Sequence, residues 1–287
     1  MIISVLLIVY NDEKYISEAI KSILQQNYKN FELIIIDDYS TDSSYNIARS
    51  FNDNRIRLFR NKTNCGIAKN RNNSVSLAKG QYLFFTDSDC IVDKNWLKEG
   101  LRTLKNTACV GVEGYTYYII PGYNPTLSDR LPGTVESPRQ YMTCNMAYKS
   151  IYIKEVKGFN NYLGYNEDRE LAIKIKKIGK INYNNRMIVK HQKKTWTIVE
   201  YIKSGRRASN RVLLFKYNNE KNAFYSRILY PENLLKILFP PLLIYTFFNN
   251  RICNWNDMKI FLAIYPKLIY ERYNIWKTAI KEKILVI

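Results

Sequence analysis

The chain has 287 residues, of which 46% are hydrophobic and 24% charged, and this composition excludes a disordered or collagen-like protein. The length allows one large domain with an appendage. A formal net charge of +19 favours anionic partners, such as a nucleotide, a nucleic acid or an anionic membrane surface.

The five cysteines are scattered and lack the paired spacing of a zinc site or a redox motif, so we expect buried free thiols in a reducing compartment. The chain starts directly with an apolar run, and no secretory signal is evident in it. No uninterrupted apolar stretch reaches the ~20 residues that span a bilayer. These features predict a cytoplasmic protein.

Apolar runs alternate with amphipathic segments at the start of the chain. Ile2 to Val9 and Phe31 to Ile36 consist mainly of β-branched residues and Leu, as is typical of parallel strands buried on both faces. Between them, one helical stripe is formed by Ile16, Ala19, Ile20, Ile23 and Leu24. Strand, helix and strand in this order predict a βαβ unit and a parallel sheet.

The alternation continues along the chain. Further strands are predicted at Ile56 to Phe59, Tyr82 to Phe85, Ala108 to Val112, Tyr115 to Ile120, Tyr141 to Tyr148 and Met187 to Lys190. Helices are predicted at Gly66 to Ala78 and at Asp93 to Asn106. A short helix is predicted to follow Tyr148 and end at about Val156, and another to span Glu167 to Ile178 with Gly179 as C-cap.

Two further segments are not typical of a sheet domain. Pro121 to Gln140 is rich in Pro, Gly and polar residues and is predicted to be a functional loop or lid. Leu234 to Phe248 and Met258 to Tyr270 are apolar and aromatic and carry basic residues. They predict either helices that bind a membrane interface or two packed helices of a C-terminal subdomain.

Acidic residues lie where predicted strands end. Thr86-Asp87-Ser88-Asp89 follows the strand at Tyr82 to Phe85, and strand ends open onto the ligand crevice of α/β sheets. Carboxylates one residue apart suit a hard cation such as Mg²⁺ or Mn²⁺. A turn or a helix N-cap is the alternative interpretation. Glu167 and Asp168 have a similar alternative, because acidic residues at a helix start interact favourably with the helix dipole.

Several short motifs occur in a characteristic order. They are Ser4 to Asn11, Ile34 to Asp42, Asn64 to Asn72, Tyr82 to Asp89, Asn145 to Tyr148, Gly158-Phe159, and Glu167-Asp168 followed by Leu171. Together they resemble the GT-A family 2 glycosyltransferases, which are inverting enzymes that use nucleotide sugars. The resemblance covers most of residues 2 to 191.

The resemblance implies a fold and a division of the chain. The fold is α/β of the GT-A type, a Rossmann-like, mixed and mainly parallel sheet flanked by helices, with a C-terminal helical extension. The catalytic domain would span 1–215, with nucleotide-sugar binding in 1–112 and the acceptor and base half in 113–195. The basic, apolar-aromatic helical tail would be 216–287.

The resemblance also implies donor-binding roles. Asp38 would accept hydrogen bonds from the base, Asp87 would contact the ribose, and Asp89 would hold a divalent cation, Mn²⁺ or Mg²⁺, at the diphosphate. Four other residues would contact the donor: Tyr10, Asp12, Lys69 and Arg71.

The general base, a second metal ligand and the arginines at the diphosphate each have an alternative assignment. Asp168 matches the family's base, with Glu167 beside it as the fallback. His191, the single histidine, is either a second metal ligand or a hydrogen-bonded core residue. Arg206 and Arg207 would either bind the diphosphate or lie on a solvated helix.

Two positions depart from the family pattern. Ile8 stands where relatives often have proline, and Tyr39 stands where glycine is common. Proline and glycine both influence the backbone conformation, so these two departures affect the expected geometry of the nucleotide loop.

The sequence therefore predicts a transferase that uses a UDP- or GDP-linked sugar and a glycan or lipid-linked acceptor, bound peripherally at the inner face of the cell membrane. A nucleotidyltransferase is the first alternative, although no Gly-rich, basic signature follows the first strand. A non-enzymatic nucleic-acid-binding protein is the second, motivated by the charge and by 24 tyrosines. Dispersed basic residues and the lack of a binding module argue against specific nucleic-acid recognition.

Overall fold

A computed structural model describes residues 3–106, 108–119, 140–192, 197–219, 224–225, 228–243 and 255–286. The contacts divide the chain into two units, Met1–Ile119 with Val135–Lys193, and Ile120–Thr134 with Lys194–Ile287. The boundary at residue 215 that the sequence analysis places between the catalytic domain and the tail is a functional division, and it stays a prediction. All of the predicted loop except Gln140 lies outside the described residues.

The first unit alternates strands and helices. Its strands are β1 (Ile3–Val9), β2 (Phe31–Asp37), β3 (Ile56–Arg60), β4 (Tyr82–Asp87), β5 (Cys90–Val92), β6 (Cys109–Ile119), β7 (Met146–Lys149) and β8 (Lys180–Gln192). Its helices are α1 (Ile16–Leu24), α2 (Ser44–Arg49), α3 (Ile67–Leu77), α4 (Trp96–Leu104), a 3-10 turn (Thr143–Asn145), α5 (Ser150–Glu155) and α6 (Glu167–Lys176).

Among the described residues, these eight strands form one sheet in the order β3-β2-β1-β4-β7-β6-β8-β5. The strands β3, β2, β1 and β4 run parallel to one another, as predicted. The strand β7 runs antiparallel to both β4 and β6, and β5 runs antiparallel to β8. The mixed, mainly parallel sheet therefore has the carboxyl ends of β1, β2 and β4 at one edge.

The core lies on both faces of this sheet. Every residue of β1 and β2 is buried, which explains why these strands are apolar runs without alternation. The predicted stripe on α1 is confirmed, because Ile16, Ala19, Ile20 and Ile23 are all fully buried. The long apolar strands thus fix the positions of the polar residues that follow them.

Three local predictions were wrong. The strands expected at Ala108 to Val112 and Tyr115 to Ile120 are one strand, β6, with a register shift between Gly114 and Tyr115. The strand expected from Tyr141 begins only at Met146. Helix α6 ends at Lys176 with Lys177, not Gly179, as its cap. Gly179 lies so close to Val110 that a Cβ atom on it would be only 2.4 Å from Val110 Cγ1.

Asn145 explains the turn that replaces the start of the predicted strand. Its side chain is buried, and its Oδ1 accepts a hydrogen bond of 2.8 Å from the Trp96 indole. Its amide group donates to the carbonyl oxygens of Tyr115 and Met187, both at 3.0 Å. These long-range hydrogen bonds hold Asn145 in the turn, and the regular strand begins only at Met146.

The second unit is mainly helical. Its described elements are α7 (Ile198–Lys203), a 3-10 helix (Ser204–Ser209), α8 (Asn210–Asn218), β9 (Phe224–Tyr225), β10 (Ile228–Leu229), α9 (Pro231–Leu238) and α10 (Trp255–Lys281). In the part of the chain that the structure describes, no helix combines the length and apolarity needed to cross a bilayer.

Candidate active site

The acidic residues of the sequence motifs meet at the carboxyl edge of the parallel strands. Asp38 directly follows β2, Asp87 is the last residue of β4, and Asp12 lies three residues beyond β1. The Ser88 hydroxyl donates a short hydrogen bond to Asp12 Oδ2 and thereby joins the turn after β4 to the turn after β1. The strand order therefore brings the predicted donor-binding acids to one edge.

Asp38 organises the loop before α3. Its carboxylate accepts hydrogen bonds from the backbone N–H groups of Cys65 and Gly66, at 2.7 and 3.0 Å, and from the Asn61 amide at 2.8 Å. The side chain is buried. A carboxylate offers about four acceptor positions. Three are used by the described residues Asn61, Cys65 and Gly66, and the role of Asp38 in binding a base stays a prediction.

A buried guanidinium connects two of the acidic motifs. Arg71, on α3, donates from Nη2 to Asp87 Oδ1 at 3.2 Å and from Nη1 to Glu167 Oε1 in a shorter contact. Burial acts to lower the pKa of Arg71, but the surrounding carboxylates outweigh it and raise this pKa. Arg71 is thus a permanent cation that fixes the end of β4 relative to the start of α6.

Asp168 differs sharply from its neighbour. Burial, and then the negative charge of Glu167, raise the pKa of Asp168 to about 7, although Arg71 acts in the opposite direction. Glu167 is buried against Arg71, whereas the Asp168 side chain is partly exposed. The two adjacent acids therefore differ in surroundings: Glu167 pairs with Arg71, and Asp168 has a pKa near neutrality.

Asp89 and His191 lie on neighbouring segments. Asp89 Oδ1 is 3.7 Å from His191 Nε2. His191 Nδ1 lies 3.3 Å from the Gln192 carbonyl oxygen, and donation from Nδ1 would leave the Nε2 lone pair for a cation. Two ligands of one octahedral cation are about 3 Å apart when each is about 2.1 Å from it. The pair fits a divalent cation after a small adjustment.

The other predicted donor contacts are more exposed. Tyr10 is 48% exposed, and Lys69 is exposed on α3. Arg206 and Arg207 are exposed in the 3-10 helix of the second unit. Their donor-binding roles stay predictions.

The backbone conformation of Tyr39 shows why glycine is common at this position in the family. Its φ is 65°, in the left-handed region, which costs a non-glycine residue about 1–2 kcal/mol. Glycine at this position would avoid that cost. The Tyr39 side chain is 47% exposed beside Asp38, so the strained residue presents an aromatic ring next to the predicted base contact.

The match to known families is decisive. The model of the family described as "Glycosyl transferase family 2" matches residues 4–160, more than half of the chain. The chain belongs to glycosyl transferase family 2. The recognition made from the ordered motifs is therefore confirmed.

Curated relatives of this family 2 glycosyltransferase match over short segments. Glycosyltransferase GlyG of Streptococcus pneumoniae serotype 4 is 41% identical over 99 residues, which are 34% of the chain and 33% of GlyG. The Escherichia coli UDP-Glc:alpha-D-GlcNAc-diphosphoundecaprenol beta-1,3-glucosyltransferase WfaP is 40% identical over 88 residues, 31% of the chain and 35% of WfaP. The chain thus covers about a third of the length of these relatives.

Solved structures match over almost the whole family 2 glycosyltransferase chain. TarS 1-349 of Staphylococcus aureus, in complex with UDP-GlcNAc, gives a TM-score of 0.58 at 17% identity and covers 99% of this chain and 93% of that one. Mannosyltransferase PcManGT of Pyrobaculum calidifontis, in complex with GDP-Man and Mn²⁺, gives 0.58 at 14% and covers 97% and 73%. At these identities the likeness concerns the fold, and it confirms the predicted GT-A class.

Two residues near the predicted metal ligands escaped the sequence reasoning. Cys90 lies opposite His191 in the β5–β8 pair, and Cys144 lies in the 3-10 turn before β7. Their thiols are buried, in agreement with the expectation for the cysteines, whereas Cys65 is only partly buried and Cys253 lies outside the described residues. The strand pairing that brings them together has no signal in residue spacing.

Proposed function

We propose that this family 2 glycosyltransferase transfers a sugar, with inversion at the anomeric carbon, from a nucleoside-diphosphate sugar to a hydroxyl of a glycan or lipid-linked acceptor. The observation that carries the proposal is the buried Arg71, which joins Asp87 at the end of β4 to Glu167 beside Asp168; the pKa of Asp168, raised to about 7, supports it. A base whose pKa lies near neutrality both takes a proton from a hydroxyl and is ionised in the cell.

The chain's own residues would perform the transfer as follows. The Asp168 carboxylate accepts the proton of the acceptor hydroxyl while that oxygen bonds to the anomeric carbon. The bond from this carbon to the diphosphate oxygen breaks on the opposite face, and the proton on Asp168 later passes to water. Inversion follows from this in-line geometry.

The donor is held by the strand-end residues. Asp38 accepts from the base with its remaining acceptor position, and Asp87, held by Arg71, contacts the ribose. Asp89 and His191 would hold a divalent cation, which would neutralise the charge that develops on the departing nucleoside diphosphate. A complex of PcManGT with GDP-Man and Mn²⁺ supports this assignment.

The acceptor and the cellular site extend the proposal. The name of the relative WfaP specifies a diphosphoundecaprenol-linked sugar as acceptor, which supports a lipid-linked acceptor here. We place the protein in the cytoplasm, peripherally at the inner face of the membrane. The site fits nucleotide sugars as donors, and the second unit has an exposed apolar and aromatic surface that suits membrane binding.

Incubation with UDP- and GDP-sugars, Mn²⁺ and a diphospholipid-linked glycan is expected to yield nucleoside diphosphate in equal amount to glycosylated acceptor. Product mass spectrometry identifies the sugar, and chromatography identifies the nucleotide. Release of pyrophosphate would instead establish nucleotidyl transfer. Tight, sequence-selective nucleic-acid binding without turnover of any nucleotide sugar would support the non-enzymatic alternative.

Helix α10 carries the surface that suits a membrane. Its exposed apolar residues recur at helical spacing on one face: Trp255, Leu262, Ile269, Tyr273, Trp276 and Ile280. Lys259 and Lys277 are exposed beside this stripe. The opposite face is buried, with Ile264 and Leu268 in one cluster of the second unit and Ile275 and Ala279 in another. An aromatic-apolar stripe flanked by lysines is typical of interfacial helices.

Flotation with phosphatidylserine-containing vesicles is expected to recover the chain in the lipid fraction, and less of it at high salt. Replacing Leu262, Ile269 and Ile280 together by Gln should weaken vesicle binding by at least about tenfold, because each side chain loses apolar contact with the bilayer. Ile151→Gln is the control, since Ile151 is equally accessible at 66% exposure on α5 of the first unit. Equal flotation of both variants would contradict docking through α10.

A further inference from the structure

The two cysteines beside the predicted metal ligands form a compact donor cluster. One donor atom each of Asp87, Cys90, Cys144 and His191 lies within 4.8 Å of the donor atoms of the other three. Cys90 and Cys144 are 0% and 2% exposed, whereas Asp87 and His191 are partly exposed. The cluster therefore has a dry, sulfur-lined side and an accessible side.

We propose that Asp87, Cys90, Cys144 and His191 form a tetrahedral site for a thiophilic divalent cation such as Zn²⁺. The donor set is two sulfurs, one nitrogen and one oxygen, which is the chemistry that zinc prefers and Mg²⁺ does not. Ligands of tetrahedral Zn²⁺, at about 2.0–2.3 Å from the metal, lie roughly 3.3–3.8 Å apart. The observed spacing, at most 4.8 Å, requires each pair of ligands to approach by about 1.5 Å or less.

The backbone holds both sulfurs in place. Cys90 belongs to β5, paired with β8 so that Cys90 and His191 are direct neighbours. Cys144 precedes Asn145, whose side chain is bonded to three elements of the unit. A site built on ordered backbone needs little rearrangement to bind a cation.

The protonation of the thiols sets the condition for binding. Zn²⁺ binding replaces the two thiol protons, which pass to the solvent. The resulting excess of negative charge is offset by Arg71, whose guanidinium is 3.2 Å from Asp87.

This site differs in ligand chemistry from the oxygen-rich position proposed for Mn²⁺ or Mg²⁺ at Asp89. The two sets share His191, so occupation by a thiophilic cation would remove a ligand from the catalytic cation and hold Asp87 away from the donor ribose. We therefore expect Zn²⁺ to inhibit sugar transfer in competition with Mn²⁺. Cation binding itself does not depend on the proposed reaction.

The test uses the full-length, reduced and metal-free chain without nucleotide sugar. Titration with Co²⁺ is expected to give thiolate-to-metal charge-transfer absorption and tetrahedral d–d bands, both abolished by one equivalent of Zn²⁺. Cys90→Ser and Cys144→Ser should each weaken Zn²⁺ binding by more than the roughly 10–100-fold that loss of a supporting outer-shell group costs. Absence of the charge-transfer band in the unmodified chain would overturn the proposal.

Two controls separate this site from adventitious binding and from misfolding. Cys65→Ser removes a more accessible thiol, and Cys109→Ser removes a fully buried thiol outside the cluster, so both should retain the bands. X-ray absorption of the Zn²⁺-loaded unmodified chain provides a measurement without any variant. Two sulfur neighbours at about 2.3 Å are expected, and a shell of only nitrogen and oxygen would refute the site.

Discussion

Asp168→Asn is expected to lower kcat by about 10²–10⁴-fold and to leave the KM for the nucleotide sugar nearly unchanged. Asn preserves the size and polarity of the side chain but cannot take the acceptor proton. The substitution leaves the proposed donor-binding residues Asp38 and Asp87 unchanged, so ground-state binding should persist. Steady-state measurement with varied donor, at saturating acceptor and Mn²⁺, separates the two parameters.

The pH profile gives a second measurement of the same group. As the proposed base, Asp168 would act in its ionised form, so kcat should be high above its pKa of about 7 and should fall about tenfold per unit of pH below it. In Asp168→Asn the residual activity should lose this dependence. Persistence of the fall in the variant would assign it to another group.

Glu170→Gln is the matched control. Glu170 lies on the same helix, is buried, and forms an ion pair of 3.1 Å with Lys174. Its replacement also removes a carboxylate from α6 but should leave the kcat pH profile unchanged. A loss in this variant comparable to that of Asp168→Asn would indicate that the helix, rather than the base, was disturbed.

The sheet could be predicted from sequence where the pattern is local. Strands β1 and β2 are continuous apolar runs because both faces are covered; the end of β2 fixes Asp38, and the end of the neighbouring strand β4 fixes Asp87. The strand expected from Tyr141 failed because a non-local amide network around Asn145 decides that backbone. Local patterns thus specify where acids occur, whereas long-range pairing specifies what surrounds them.

The candidate site shows the same limit. Motif order placed Arg71 near the nucleotide, but the structure shows it buried between Asp87 and Glu167, an arrangement that joins residues from three separate motifs. The cysteine cluster was missed for a similar reason, because β5 crosses to the far end of the sheet to pair with β8. Neither arrangement follows from spacing along the chain.

Arg71→Met is expected to lower the free energy of unfolding by about 3–5 kcal/mol, because it leaves the buried Glu167 carboxylate without its counter-ion. The guanidinium is 6% exposed and touches Asp87 and Glu167, so water cannot replace it. Urea unfolding followed by circular dichroism measures the change. Arg102→Met is the control, since the Arg102 side chain that pairs with Glu99 is 60% exposed and the pair should contribute at most about 1 kcal/mol.

A compensating replacement tests whether charge is the cause. Removing the negative charge of Glu167 as well, in Arg71→Met/Glu167→Gln, should restore a substantial part of the lost stability, because a buried pair replaced by neutral groups is less costly than a broken one. Arg71 also acts to lower the pKa of Asp168, so in Arg71→Met the rise of kcat with pH should move to higher pH. The double variant should move it back, since Glu167 acts to raise that pKa. A stability loss that Glu167→Gln does not relieve would assign the role of Arg71 to packing instead.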